Sequence, residues 1–262
     1  MQRFRVVVVL AALTATSALA QYTSSFGYSF NNPMSAMAND FFFQRMNQRA
    51  LLRSMLKKRG YTDQKLNDMT TDQMIAALGG SKNAVEASRE VPAPTATKFK
   101  PSGKRLLVPT LAASLSQDKA QQQALVELFD QGIKAYEQEA SKDGFVNDVA
   151  GAVAFFIGSA YFVFHDGQEP NEDGLTLFAR QLQHAMDTPE LKKVPAADKQ
   201  KFYELLVGMG TWLGVTYQLA AQNDDAALKA QLKDAAGSVL KGYLKLEPSK
   251  VDITANGLVI AP

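Results

Sequence analysis

The chain has 262 residues, 46% of them hydrophobic, with 28 Lys and Arg against 26 Asp and Glu, two histidines and no cysteine. Such a length supports one large apolar core, and the missing cysteines exclude disulfides, thiolate nucleophiles and thiolate metal ligands. The formal net charge of +2 hides a split, since residues 21–105 hold 13 cations and 6 acids while residues 106–262 hold 13 cations and 20 acids; an acidic larger half would repel phosphate and disfavours nucleic-acid binding.

Residues 1–20 read as a cleavable secretory signal peptide. Arg3 and Arg5 precede the apolar run 6–13, and Ala18-Leu19-Ala20 forms a small-x-small cleavage site before Gln21. The run is too short for a stable membrane anchor. No cysteine follows the cleavage site, so a lipoprotein anchor is not expected. The protein is expected in the periplasm or outside the cell.

Residues 21–40, rich in Ser, Asn, Tyr and Phe, read as a disordered segment. A basic helical region, 41–79, follows. Its first helix, 41–59, is stopped by Gly60 and carries Arg45, Arg49, Arg53 and Lys57 at four-residue spacing, then Lys58 and Arg59, with no acid between Asp40 and Asp63. Like charges at this spacing cost a few tenths of a kcal/mol each (~0.2–0.5) in an isolated helix. The six cations are therefore either a solvated face, a face docked on the acidic C-terminal half, or a contact for an anionic membrane surface or partner. Phe42 and Met46 fall inside the basic sector, which weakens the membrane version. Thr70 and Gln73 have capping-box spacing, and Gly79-Gly80 would end that second helix. Residues 80–105, with Pro92, Pro94 and Pro101, read as a linker.

Residues 106–247 read as a helical bundle: a short helix at 110–115, then long helices at 116–142, 147–164, 171–186, 196–221 and 224–246, with Ser116 capping the first long one. The tail 248–262 alternates and contains Asn256-Gly257, so it is expected as an extended tail or small hairpin. The predicted fold class is all-α, a bundle of about five long helices with a basic helical N-terminal extension.

Two of these helices stand apart, because residues 149–164 and 205–223 contain no charge. A helix apolar all round is either a bundle's central element or a membrane span. Sixteen residues rise only about 24 Å, short of the roughly 30 Å hydrocarbon core. Both are therefore expected as central helices of a water-soluble body. Gly151, Gly158, Gly208, Gly210 and Gly214 lie inside them. Each costs roughly 1 kcal/mol against alanine, which close packing against neighbouring aromatics would offset.

The chemical motifs are sparse. His165 and His184 fall on different helices and are not expected to share a metal. Asp166, Glu169, Glu172 and Asp173 crowd one turn without EF-hand spacing. Ser116-x-x-Lys119 and Ser54-x-x-Lys57 lack the partner motifs of serine–lysine hydrolases, and Ser102-Gly103-Lys104 lacks the glycine and hydroxyl of a phosphate loop. No catalytic residue, cofactor or metal is expected.

The runs Lys100-Pro101-Ser102-Gly103-Lys104-Arg105-Leu106, Tyr136-Glu137, Phe145-Val146-Asn147-Asp148-Val149-Ala150 and Ala154-Phe155-Phe156 resemble an uncharacterised family of exported bacterial helical proteins, a domain of unknown function. The resemblance covers about residues 98–260, leaves the basic region outside, and implies an all-α fold without an assigned activity. Together these features predict an exported, non-enzymatic binding or structural module with a protein partner or anionic surface. The alternatives are a membrane-surface-associated or conditionally inserting helical protein, and a hydrolase built around the acidic turn 166–173.

Overall fold

The computed structural model describes residues 53, 56, 57, 60–69 and 95–260. These contain eight α-helices: α1 Asp63–Asp68, α2 Val108–Leu115, α3 Lys119–Ala140, α4 Val149–Phe164, α5 Glu172–Ala185, α6 Pro189–Lys192, α7 Ala196–Gln222 and α8 Ala226–Leu244. A two-stranded antiparallel hairpin, β1 Val251–Thr254 and β2 Gly257–Ile260, pairs Val251 with Ile260 and Thr254 with Gly257. The fold is all-α apart from this hairpin, with the five long helices expected from the sequence.

Helix α4 is the centre of the bundle. It packs against α7, α5 and α8, while α7 also packs on α3 and α8, and α2 lies on α3. Fourteen of the sixteen α4 residues are buried. Its neighbour α7 buries Tyr203, Trp212 and Tyr217, each at 4% exposure or less. A large side chain so buried contributes about 1.5–3 kcal/mol. Among the described residues, no helix is long and apolar enough to cross a membrane.

Glycine sets the distance between the central helices. A Cβ on Gly210 of α7 would lie 2.8 Å from the Phe155 ring of α4, and one on Gly208 would lie 3.2 Å from the Phe129 ring of α3. The two glycines thus admit an aromatic ring from each neighbouring helix.

The helix starts follow local capping chemistry. Asp148, Asn171, Thr188 and Asp225 each accept a hydrogen bond from the first turn of the helix that follows. The cap of α3 differs from the sequence expectation. Asp118 accepts from the Gln121 amide, whereas Ser116 ends α2 and donates its hydroxyl to Gln121 Oε1. Two residues separate the alternatives, and the carboxylate is the stronger acceptor beside a helix N-terminus.

Further differences concern the N-terminal part. Helix α1, capped by Thr62, falls between the two helices that the sequence predicts there. The anticipated helix starting at Thr70, the segment 21–40 and the signal peptide lie outside the described residues. The end of the expected linker is not a linker. Ala96 and Thr97 are 3% and 0% exposed, and Lys98 forms an antiparallel bridge with Asp148.

Candidate functional site

Residues 95–107 form a strap along the N-terminal end of α4, the C-terminal end of α5 and the first turns of α7. Pro101, the Ser102-Gly103 pair and the lack of apolar periodicity keep this stretch from being a helix, so its backbone groups must find other partners. Three buried side chains of α7 bond that backbone, and the buried Asp148, itself held by Gln183, bonds the Thr97 side chain. Asp148 Oδ1 caps α4 through the Ala150 amide at 2.9 Å, and Oδ2 accepts from the Thr97 hydroxyl at 3.1 Å and the Gln183 amide at 2.6 Å. Lys199 donates to the Ala96 carbonyl at 2.7 Å. Gln200 accepts from the Ser102 amide at 2.8 Å and donates to the Lys104 carbonyl at 2.6 Å. Glu204 accepts from the amides of Leu106 at 2.9 Å and Leu107 at 2.7 Å. Burial lowers the Lys199 pKa from its usual value.

Arg105 carries the strap across to α3, pairing with Asp130 at 3.1 Å and Glu137 at 3.2 Å, while Lys134 pairs with Asp130 at 2.6 Å. Burial opposes the Arg105 charge, but the hydrogen bonds to Asp130 and Glu137 outweigh it and raise its pKa. Lys134 first, and Arg105 against the effect of burial, hold the Asp130 carboxyl below its usual range.

Between the strap, α3, α7 and the Val146-Asn147 turn opens a cleft of about 420 Å³. The Phe99 and Tyr203 rings meet edge to face in its wall, centroids 5.3 Å apart. Burial pushes the Tyr203 phenol well above its usual range, with Glu137 adding to the effect. The cleft thus presents ion-paired carboxylates, a phenol held protonated, and outward cations. These groups are suited to holding a ligand more than to moving protons.

The residues singled out from sequence are distributed differently. Arg53 and Lys57 converge on Asp63, at 3.1 and 2.7 Å, and Arg53 also donates to Asn67 at 2.6 Å. Both local cations therefore share an anion at the start of α1, where Leu56 and Leu66 are fully buried. Arg45, Arg49, Lys58 and Arg59 lie outside the described residues. His165 ends α4 with its ring 4.2 Å from that of Tyr161. The acidic turn is on the surface, where Asp166 pairs with Lys233 at 2.6 Å and Asn171 caps α5. Lys119 donates to Gln122 at 3.0 Å while Ser116 bonds Gln121, so those two form no serine–lysine pair. Among the described residues, no three His, Asp or Glu side chains come together as a metal site.

The runs at 100–106, 136–137 and 145–150, far apart in sequence, surround this one cleft. The model of a family described as of unknown function matches residues 2–261. The chain belongs to that family, DUF6683. The match extends beyond residues 98–260 and takes in the basic N-terminal region of this DUF6683 protein. No curated protein matches it, and no solved structure does.

Proposed function

We propose that this DUF6683 protein is an exported, non-enzymatic interaction module whose docking face is the strap cleft. The observation that carries the reading is the convergence of Asp148, Lys199, Gln200 and Glu204 on the strap, with Gln183 holding Asp148 in place. A buried polar side chain costs stability unless fully bonded, and here that requirement fixes the shape of one surface opening. A surface held in shape before binding loses little conformational entropy on docking.

Export rests on the basic, apolar and Ala-x-Ala succession of residues 1–20. Cleavage after Ala20 would give a purified protein beginning at Gln21, and an intact Met1 in the exported fraction would overturn that part. The basic stripe from Arg45 to Arg59 adds a contact for an anionic partner, with Asp63 drawing on Arg53 and Lys57.

The docking face is tested in cells by a photocrosslinking amino acid placed at Lys104, and separately at the exposed Gln231 of α8. The reading expects discrete adducts from position 104 and none in common with position 231. Identical adducts from both positions, or none from 104, would overturn it. So would turnover of a cell-wall or ester substrate abolished by a single substitution.

A further inference from the structure

Resting on the reading of the cleft as a docking face, we propose that its ligand is an acidic polypeptide segment, bound through its carboxylates at residues 103–105. The strap contains Lys98, Lys100, Lys104 and Arg105 and no acid. Two of these cations are engaged, Lys98 with the Gly144 carbonyl at 3.0 Å and Arg105 with α3. The Lys100 and Lys104 ammonium groups have no partner among the described residues. Both carboxylates facing the cleft, Asp130 and Glu137, are already taken by Arg105. The charge left over is positive and belongs to the basic part of the chain, 21–105, where it lies against the acidic bundle.

The backbone points the same way. Ser102 N–H is bonded to Gln200 and Leu106 N–H to Glu204, but the three amides between them, of Gly103, Lys104 and Arg105, make no hydrogen bond among the described residues. Gly103 has φ +81°, a conformation open to glycine, and turns this run at the cleft. Three successive unbonded N–H groups at such a turn, beside a lysine, are donors open to a carboxylate. The Asn147 side-chain amide also lines the cleft without a partner among the described residues and can bond a peptide group. Phe99, Pro101 and Val146 offer apolar wall for an intervening side chain. Free backbone donors, an amide, cations and apolar wall together match a polypeptide better than an isolated anion.

The test is a titration of the ¹⁵N-labelled full chain with an acetylated, amidated peptide of alternating glutamate and leucine, followed through the amide signals of 103–105. A glutamine-for-glutamate peptide and inorganic pyrophosphate serve as the other arms. The proposal expects saturable shifts with the glutamate peptide alone, about tenfold weaker binding in Lys104→Glu, and an affinity that falls as salt is raised. Lys104 is exposed, and an unchanged melting curve verifies that the variant folds. No saturable shift, equal binding of the glutamine peptide, undiminished binding by Lys104→Glu, or a response to pyrophosphate in place of the peptide would each overturn it. Should these fail while position 104 still crosslinks a partner, the ligand class is wrong and the docking face stands.

Discussion

The Glu204 carboxylate of α7 lies 2.7 Å from the backbone nitrogen of Leu107, a residue 97 positions earlier in the chain. Leu107 occupies the N-cap position of α2, where its own side chain can accept no hydrogen bond. A carboxylate from a distant helix therefore takes the part that Glu at the third helical position plays in a capping box, accepting from the N-cap amide, and its negative charge lies at the positive end of the α2 dipole. Burial of Glu204 is compensated by three donors, the amides of Leu106 and Leu107 and the Gln200 side chain.

Substitution Glu204→Gln keeps the volume but turns an amide nitrogen toward at least one of those donors. The expected cost is about 1–3 kcal/mol, the usual penalty for a buried polar group left unsatisfied. Urea unfolding of the variant measures it, and a change within experimental error would show that the carboxylate is not needed to fix the strap.

Two alanine substitutions should have opposite signs. Gly210→Ala places a Cβ 2.8 Å from Phe155 and 3.1 Å from Ser159, so overpacking of about 1–3 kcal/mol outweighs a helix-propensity gain of about 1 kcal/mol. Gly242→Ala, on the exposed face of α8, meets nothing within 4 Å and should stabilise by about 0.5–1 kcal/mol. Paired denaturation curves separate the two.

Tyr161 of α4 donates to Asp252 of β1 at 2.8 Å and ties the hairpin to the bundle. Burial, then the bond to Asp252, raises its pKa from about 10 to about 12. A pKa raised by folding means that the stabilisation is complete below about pH 10 and is lost as pH climbs through about 12. Tyr161→Phe should cost about 1 kcal/mol at neutral pH. That gap should shrink over the alkaline window, as read by denaturation at a series of pH values. A gap constant across the window would contradict the assignment.

The sequence made the central helices readable because 149–164 lacks charge altogether, and burial among other helices is the simplest destiny of such a helix. The strap was not readable. Glu204 and Gln200 sit among Lys199, Lys201 and Asp198 at the start of α7, where polar residues normally face solvent, and the charge-free stretch begins only at Leu205. Their partners lie nearly a hundred residues away, beyond the reach of any periodicity. Pro101 and the scattered lysines of the strap likewise match a linker's composition, and only tertiary bonds distinguish the two. The basic stripe was legible as charge, but the role of Asp63 depended on a turn at Gly60 that brings α1 back beside Arg53 and Lys57.

Native-state hydrogen exchange along residues 97–107 tests the central claim most directly, because a clamped strap and a linker differ there amide by amide. The account predicts strong protection at Phe99, Leu106 and Leu107, which are bonded to Asn147 and Glu204, with rapid exchange at Gly103, Lys104 and Arg105 between them. Uniformly fast exchange through the whole stretch would contradict it, leaving no fixed cleft for a partner to recognise.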